Sequence, residues 1–218
     1  MRTLRFNLLG VPGIELDGEP VRAERRKTAA LLYYVAATGK PLARGPATGL
    51  LWPEFAPDRA RTSLRRALVD ANAATGLCVF EPERDVLRFS DGIAVEVDAA
   101  EFASLANEGL ASRDGQALGC LERAAALYRG EFLSGFYLKD AIEFEDWQLG
   151  MADRFKAKAV EALQRLATAY RTEGRSADAQ ILAERIIQYA PLDEAGHRLM
   201  IEMLADREIG RASCRERG

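Results

Sequence analysis

Pro53 and Pro57 bracket a loop that no helix can cross, and the stretch beyond it, from Asp58 to Ala74, is amphipathic and rich in arginine. Proline has no amide hydrogen and its ring clashes with the preceding turn, so the helix before the loop must end near Trp52. Asp58 is predicted as the N-cap of the next helix, accepting a hydrogen bond from a free backbone N–H. At about 100° per residue, Ala60, Leu64, Ala67, Leu68 and Ala71 share one face, while Arg61, Thr62, Arg65, Arg66, Val69 and Asn72 share the other. One face packs and the other presents guanidinium groups, as in the second helix of a helix-turn-helix. An arginine fork can bond guanine O6 and N7, and a threonine methyl can meet a thymine methyl. A plain solvated helix face carries the same pattern, so the rest of the chain has to decide.

Charge is the first discriminator. The net charge of −3 conceals an asymmetry: residues 20–66 hold ten Lys/Arg against three Asp/Glu, and residues 99–207 hold thirteen against eighteen. The basic excess lies where the arginine helix lies, as a nucleic-acid surface requires. With 218 residues and 48% hydrophobic content, the chain suits one or two globular domains. It has no apolar run long enough to span a membrane, and Met1 to Phe6 alternates polar with apolar residues, unlike a signal peptide. Cys78, Cys120 and Cys214 are odd in number and far apart, which suggests neither a disulfide framework nor a zinc site. The expectation is a soluble, cytoplasmic protein with reduced cysteines, no membrane contact, no cofactor and no metal.

The chain opens with alternating Leu4, Phe6 and Leu8, then Ile14-Glu15-Leu16 and the turn pair Asp17-Gly18, which predicts a small antiparallel sheet. Arg25 to Thr38 reads as a central helix, apolar on most sides and stopped by Gly39. Its leading Arg25, Arg26 and Lys27 could neutralise phosphates. Leu42 to Trp52 is the next predicted helix, weakened at its start by Gly45-Pro46. After the arginine helix, Leu77–Phe80 and Val86–Phe89 flank a polar turn and predict a hairpin wing, with Ile93–Val97 as a last short strand. A composition shift near Asp98 sets the expected domain boundary, giving 1–98 and 99–207.

From Glu101 onward nearly everything is helical by pattern: Glu101–Leu110, Ala117–Tyr128, Ile142–Thr172, Ala177–Tyr189 and Asp193–Asp206. The aromatic loop Gly130–Leu138 between them is too apolar to float free. Leu163, Leu166, Ala167, Tyr170, Ala179 and Pro191 fit a tetratricopeptide signature in residue type, whereas Ala183 and Ile186 depart from it. The register places His197, the only histidine, at a packing position. Without a second histidine or a phosphate loop, nucleophilic and nucleotide-hydrolysing chemistry lack raw material, so the expectation is a non-enzyme. The acidic group Glu143, Glu145 and Asp146 complements a helix dipole.

Together these segments resemble the SARP-type bacterial transcriptional activators, which join an OmpR-like winged helix to a bacterial transcriptional activator domain. The resemblance rests on Leu8-Leu9-Gly10 with Glu15 to Gly18, on Arg25-Arg26-Lys27, and on Leu51-Trp52-Pro53 leading to Arg59–Leu68. In the second half it rests on Tyr128–Phe136 and Glu143–Trp147. It implies a mainly α protein: an N-terminal winged helix-turn-helix of α+β type, then an all-α tetratricopeptide-like domain. It further implies that the helix beginning near Arg59 enters the major groove of double-stranded DNA, that the hairpin around Arg84 approaches the minor groove, and that Pro53, Glu54, Phe55, Ala56, Pro57 and Asp58 touch RNA polymerase. Family members typically bind direct repeats near a promoter and recruit polymerase through its sigma subunit, and the helical domain suits homodimer contacts.

The expected function is therefore DNA-binding transcriptional activation, with Arg25, Arg26, Lys27, Arg59, Arg61, Thr62, Arg65, Arg66 and Arg84 as DNA contacts. Residues 67–98 carry two basic against seven acidic side chains, which predicts weaker and less salt-sensitive binding than a fully basic wing would give. The alternative is a protein-interaction or regulatory module of a larger signalling protein, in which DNA affinity has faded. Glu208 to Gly218 has no helical period and resembles an in-frame translated sequencing adapter, so it is set aside as non-native, with the helical domain incomplete before it.

Overall fold

Alternation at Leu4, Phe6 and Leu8 works out as expected: all three are fully buried, and β1 (Arg2–Asn7) lies inside a four-stranded sheet. The computed structural model describes residues 1–81, 83, 85–112, 115–192 and 194–202. In the sheet, β2 (Gly13–Leu16) pairs antiparallel with β1, and β3 (Glu19–Val21) pairs antiparallel with β2. Asp17 and Gly18 take positive φ of 51° and 87°, the backbone that a two-residue hairpin needs. The fourth strand is the last short one read at Ile93–Val97, and the structure supplies its partner. β6 (Ile93–Val97) does not extend the wing; it pairs with β1 in parallel, Leu4 opposite Val95, and completes the order β3-β2-β1-β6. Parallel pairing needs a crossover, and here the intervening helices supply it.

α1 (Arg26–Thr38) is buried along Ala30, Leu31, Leu32, Tyr33, Val35 and Ala36. Leu42 and Ala43, expected as helix, form strand β4 instead, paired with β5 (Val86–Leu87) of the wing. α2 (Arg44–Leu51) starts after it, so Gly45 and Pro46 fall in the first turn, where a missing N–H is tolerated. α3 (Pro57–Thr75) has Ala56 as its N-cap and Pro57 as its first residue, so Asp58 sits inside the first turn and is not the cap. Proline's fixed φ suits that first position and removes one of the amides a cap would satisfy. The wing is narrow: Phe80 bridges Phe89, their rings stacked 5.2 Å apart.

α4 (Asp98–Ala111), α5 (Gly115–Leu127), α6 (Ile142–Thr172) and α7 (Ser176–Tyr189) make the second half helical, and residues 194–202 are helical too. No helix among the described residues is long and apolar enough to cross a membrane. The compact units differ from the boundary read at Asp98: one comprises residues 1–101 with 129–153, the other 102–128 with the residues from 154 onward. The reason is the aromatic segment. Leu133 N–H donates to Leu8 O at 2.8 Å and Gly10 N–H to Glu131 O at 3.0 Å, while Tyr33 packs on Phe136 and Tyr34 on Trp147. A Cβ on Gly130 would stand 3.3 Å from Gly10 Cα, so the two backbones approach as closely as they do only through glycine.

Asp98 anchors this junction. Its carboxylate accepts from the amides of Leu8 at 2.7 Å and Leu9 at 3.1 Å and from Arg129 Nη2 at 2.6 Å. Burial pushes the Asp98 carboxyl above its ordinary value, against the pull of those amides and the guanidinium.

In the second unit Leu163, Leu166, Ala167 and Ala179 are buried where the tetratricopeptide register expects them. Ala183 and Ile186, which depart from the signature, are fully buried as well, so the core accepts their different sizes. Pro191 and His197 are exposed, and His197 Nε2 lies 2.8 Å from Pro191 O. The helix turns Gly196 and Leu199 inward, which corrects the buried position read for His197. Gly109 lets α4 meet α5: a Cβ there would fall 2.7 Å from Leu121 Cγ and 3.1 Å from Ala117 O. Gly109→Val is expected to cost about 2 kcal/mol by overpacking, because Leu121 is itself enclosed. A thermal melt unchanged from wild type would show that Leu121 yields.

Candidate nucleic-acid interface

On α3 the packed and outward faces separate as the periodicity requires. Ala60, Leu64, Ala67 and Ala71 are buried, while Arg61, Thr62, Arg65, Arg66 and Val69 are exposed. Asn72 leaves the outward set: its Oδ1 accepts from Val79 N–H at 3.0 Å and ties the helix to the base of the wing. Arg61 is also engaged, donating to Asp58 at 2.5 Å, and Thr62 Oγ1 donates back to Asp58 O at 2.9 Å. Arg65 and Arg66 have no ion-pair partner among the described residues. Val69, 68% exposed, adds an apolar contact beside them that could meet a base methyl.

Cations flank α3 on both sides. On one side Arg61 and Arg65 share a recess of about 430 Å³ with Arg44, Thr48 and Asp85. Arg44 donates from Nη2 to Glu83 O at 3.1 Å, but its Nε is buried without a hydrogen-bond partner. Sequence reasoning missed Arg44. With the helix read from Leu42, Arg44 did not stand out as the cation at a helix start, where it opposes the dipole. On the other side Arg66 meets Arg25, Arg26 and Lys27 around a cleft of about 370 Å³. Arg25 and Arg26 are exposed; Lys27 is half-buried, and burial pulls its ammonium below the ordinary lysine value against the field of Asp140.

The loop from Pro53 to Asp58 is exposed except at Phe55, which is half-buried. Arg59 lies over the Phe55 ring at 4.1 Å and Lys27 faces it at 5.7 Å, so cation–π contacts hold the loop to the basic surface. Arg84 lies outside the described residues. In the wing Arg88 pairs with Glu83 at 3.2 Å and with Asp91 at 2.5 Å, so it is engaged with carboxylates of its own hairpin. Among the described residues no cluster of His, Cys, Asp and Glu is arranged to hold a metal.

Residues 97–213 match the family model described as the bacterial transcriptional activator domain. No curated protein matches the chain. Among solved structures, Mycobacterium tuberculosis EmbR in complex with a low-affinity phosphopeptide is similar in fold, with a TM-score of 0.58 at 21% identity. That match covers 94% of this chain, which spans 66% of the EmbR chain.

Proposed function

This chain belongs to the bacterial transcriptional activator domain family, and we propose that it is a sequence-specific DNA-binding activator that reads direct repeats at a promoter and recruits RNA polymerase through its sigma subunit. The observation that carries the reading is the outer face of α3. Arg65 and Arg66 stand exposed and without ion pairs on a helix whose opposite face is packed, between two recesses lined by further cations. A helix of this kind fits the major groove, where an arginine fork reads guanine, while the flanking cations suit the phosphates on either side of the groove. Arg25, Arg26, Lys27, Arg59, Arg61 and Thr62 belong to that surface in this reading, with Arg44 added and Arg84 retained. The loop from Pro53 to Asp58 is the polymerase contact, since it is exposed and held firmly beside the DNA face. The second unit serves partner or homodimer contacts, which its exposed Ile181, Leu192 and Ile201 support. A cytoplasmic location follows from this function.

The test is binding of the whole chain to duplex DNA from upstream of its own gene, over a range of salt. Arg65→Ala is expected to weaken specific binding by about 1–3 kcal/mol and to relax preference at one base pair. Arg44→Gln is expected to weaken all duplexes alike and to reduce the salt slope by about one unit, as loss of a phosphate contact does. Unchanged affinity in both variants, with the circular dichroism of wild type, would overturn the assignment. Absence of duplex binding even at low salt would favour the protein-interaction reading that the acidic balance of residues 67–98 supports.

A further inference from the structure

The cleft at the start of α1 has more in it than a DNA flank needs. Five cations line it, Arg25, Arg26, Lys27, Arg66 and Lys139, and no carboxylate does. None of the five is ion-paired among the described residues; two acids act from outside the lining, Asp70 on the Arg25 amide at 3.4 Å and Asp140 on Lys27. The helix end makes this concentration of charge more costly. α1 has no side-chain cap and no acidic residue in its first turn; the amides of Thr28 and Ala29 donate to Arg25 O, and the positive pole of the helix lies among the cations. A second observation is independent of charge. Thr28, wholly buried, lines the cleft, and its hydroxyl has no hydrogen-bond partner. A buried hydroxyl left unpaired costs about 1–3 kcal/mol, so its presence beside an uncapped helix end points to a missing acceptor.

We propose that this cleft is a phosphate-binding site. A phosphate supplies acceptor oxygens for the Thr28 hydroxyl and the amides of Arg26 and Lys27, the amides of Thr28 and Ala29 being already bonded to Arg25 O, and negative charge for the cations and the helix pole. It would also offset the cost of half-burying Lys27. A cleft of about 370 Å³ takes a phosphate together with a small organic body, so the group can arrive on a phosphorylated small molecule. The same chemistry could come from the backbone of a duplex lying along α3 and touching Arg66. The proposal therefore goes beyond DNA recognition, and its first test does not depend on it.

That test uses the whole chain and inorganic phosphate as probe. Thermal melts with phosphate are compared with chloride at equal pH and ionic strength, and duplex affinity is measured in phosphate-free buffer. Wild type is expected to be stabilised by phosphate beyond chloride. Thr28→Val and Lys139→Gln are each expected to weaken phosphate affinity about tenfold, the worth of one hydrogen bond to a charged group. Thr28→Val should meanwhile raise the melting temperature of the free chain, because it removes an unpaired buried hydroxyl, and Lys139 is exposed, so neither result can be mistaken for misfolding. If phosphate stabilises wild type, and these variants weaken that effect but leave duplex binding unchanged, the source is a free phosphorylated ligand. Weakened duplex binding without a phosphate effect on the free chain assigns the site to a backbone phosphate. Phosphate acting no better than chloride, with duplex affinity untouched in both variants, overturns the proposal, as does equal stabilisation of wild type and variants.

Discussion

Leu64→Asp is expected to abolish the cooperative melt of the first compact unit. Leu64 is 2% exposed and lies on the α3 face that also buries Ala60, Ala67 and Ala71. Leu64 borders the recess of Arg44, Arg61 and Arg65, but a carboxylate on the packed face still has to leave water, and burying an ion costs several kcal/mol even after relaxation. Losing the leucine removes roughly 2 kcal/mol of apolar burial besides. Together these approach the whole stability of an ordinary domain, about 5–15 kcal/mol. Arg65→Asp, one residue along on the exposed face, is the matched control: it should keep the melt of wild type and lose duplex binding through charge reversal. A Leu64→Asp chain that melts like wild type would show that the two faces of α3 are misassigned, and with them the DNA-reading surface.

Asp98→Ala should be the most damaging change to a polar residue. Its carboxylate is the acceptor for two amides, those of Leu8 and Leu9, on residues that are themselves buried. Alanine leaves both donors unpaired in a place water does not reach, at about 1–3 kcal/mol for each orphaned group. Arg129 loses its partner too, but its side chain is 52% exposed and water can replace the carboxylate, so that part of the loss is small. The expected total is about 3 kcal/mol, or a fall of roughly 10 °C in melting temperature for a chain of this size. Glu96→Ala provides the scale. It breaks the Arg5–Glu96 pair, both of whose side chains are about half exposed, and should cost less than about 1 kcal/mol. Equal destabilisation by the two substitutions would mean that Asp98 is an ordinary surface acid and not the anchor of the junction.

How far the site could be read from the chain differs residue by residue. Arg65 and Arg66 were legible because a helical period depends only on neighbours three and four apart, and burial of Leu64 on the opposite side follows from the same period. Arg61 lay on the right face, yet its pairing with Asp58 was hidden by taking Asp58 for a cap. Arg44 stood in a stretch whose Gly45-Pro46 read as a weak helix start, so its place beside Arg61 and Arg65 was not visible. Thr28 looked like any helix residue; an unpaired hydroxyl is a property of what surrounds it.

The fold divides in the same way. Sequence alone determined where the helices lie, apart from the starts of α2 and α3, from α1 ending at Gly39 to α6 spanning Ile142 to Thr172, and the mainly helical class, because helix hydrogen bonds and side-chain periods close within a few residues. Only the tertiary structure decided that β6 runs parallel to β1, that Asp98 binds Leu8 and Leu9, and that Trp147 packs on Tyr34 and draws residues 129–153 into the first unit. Those partners are far apart along the chain, and no local pattern records them. They are selected by which buried donors, acceptors and rings can satisfy one another once the helices are formed, which is a property of the packed chain as a whole.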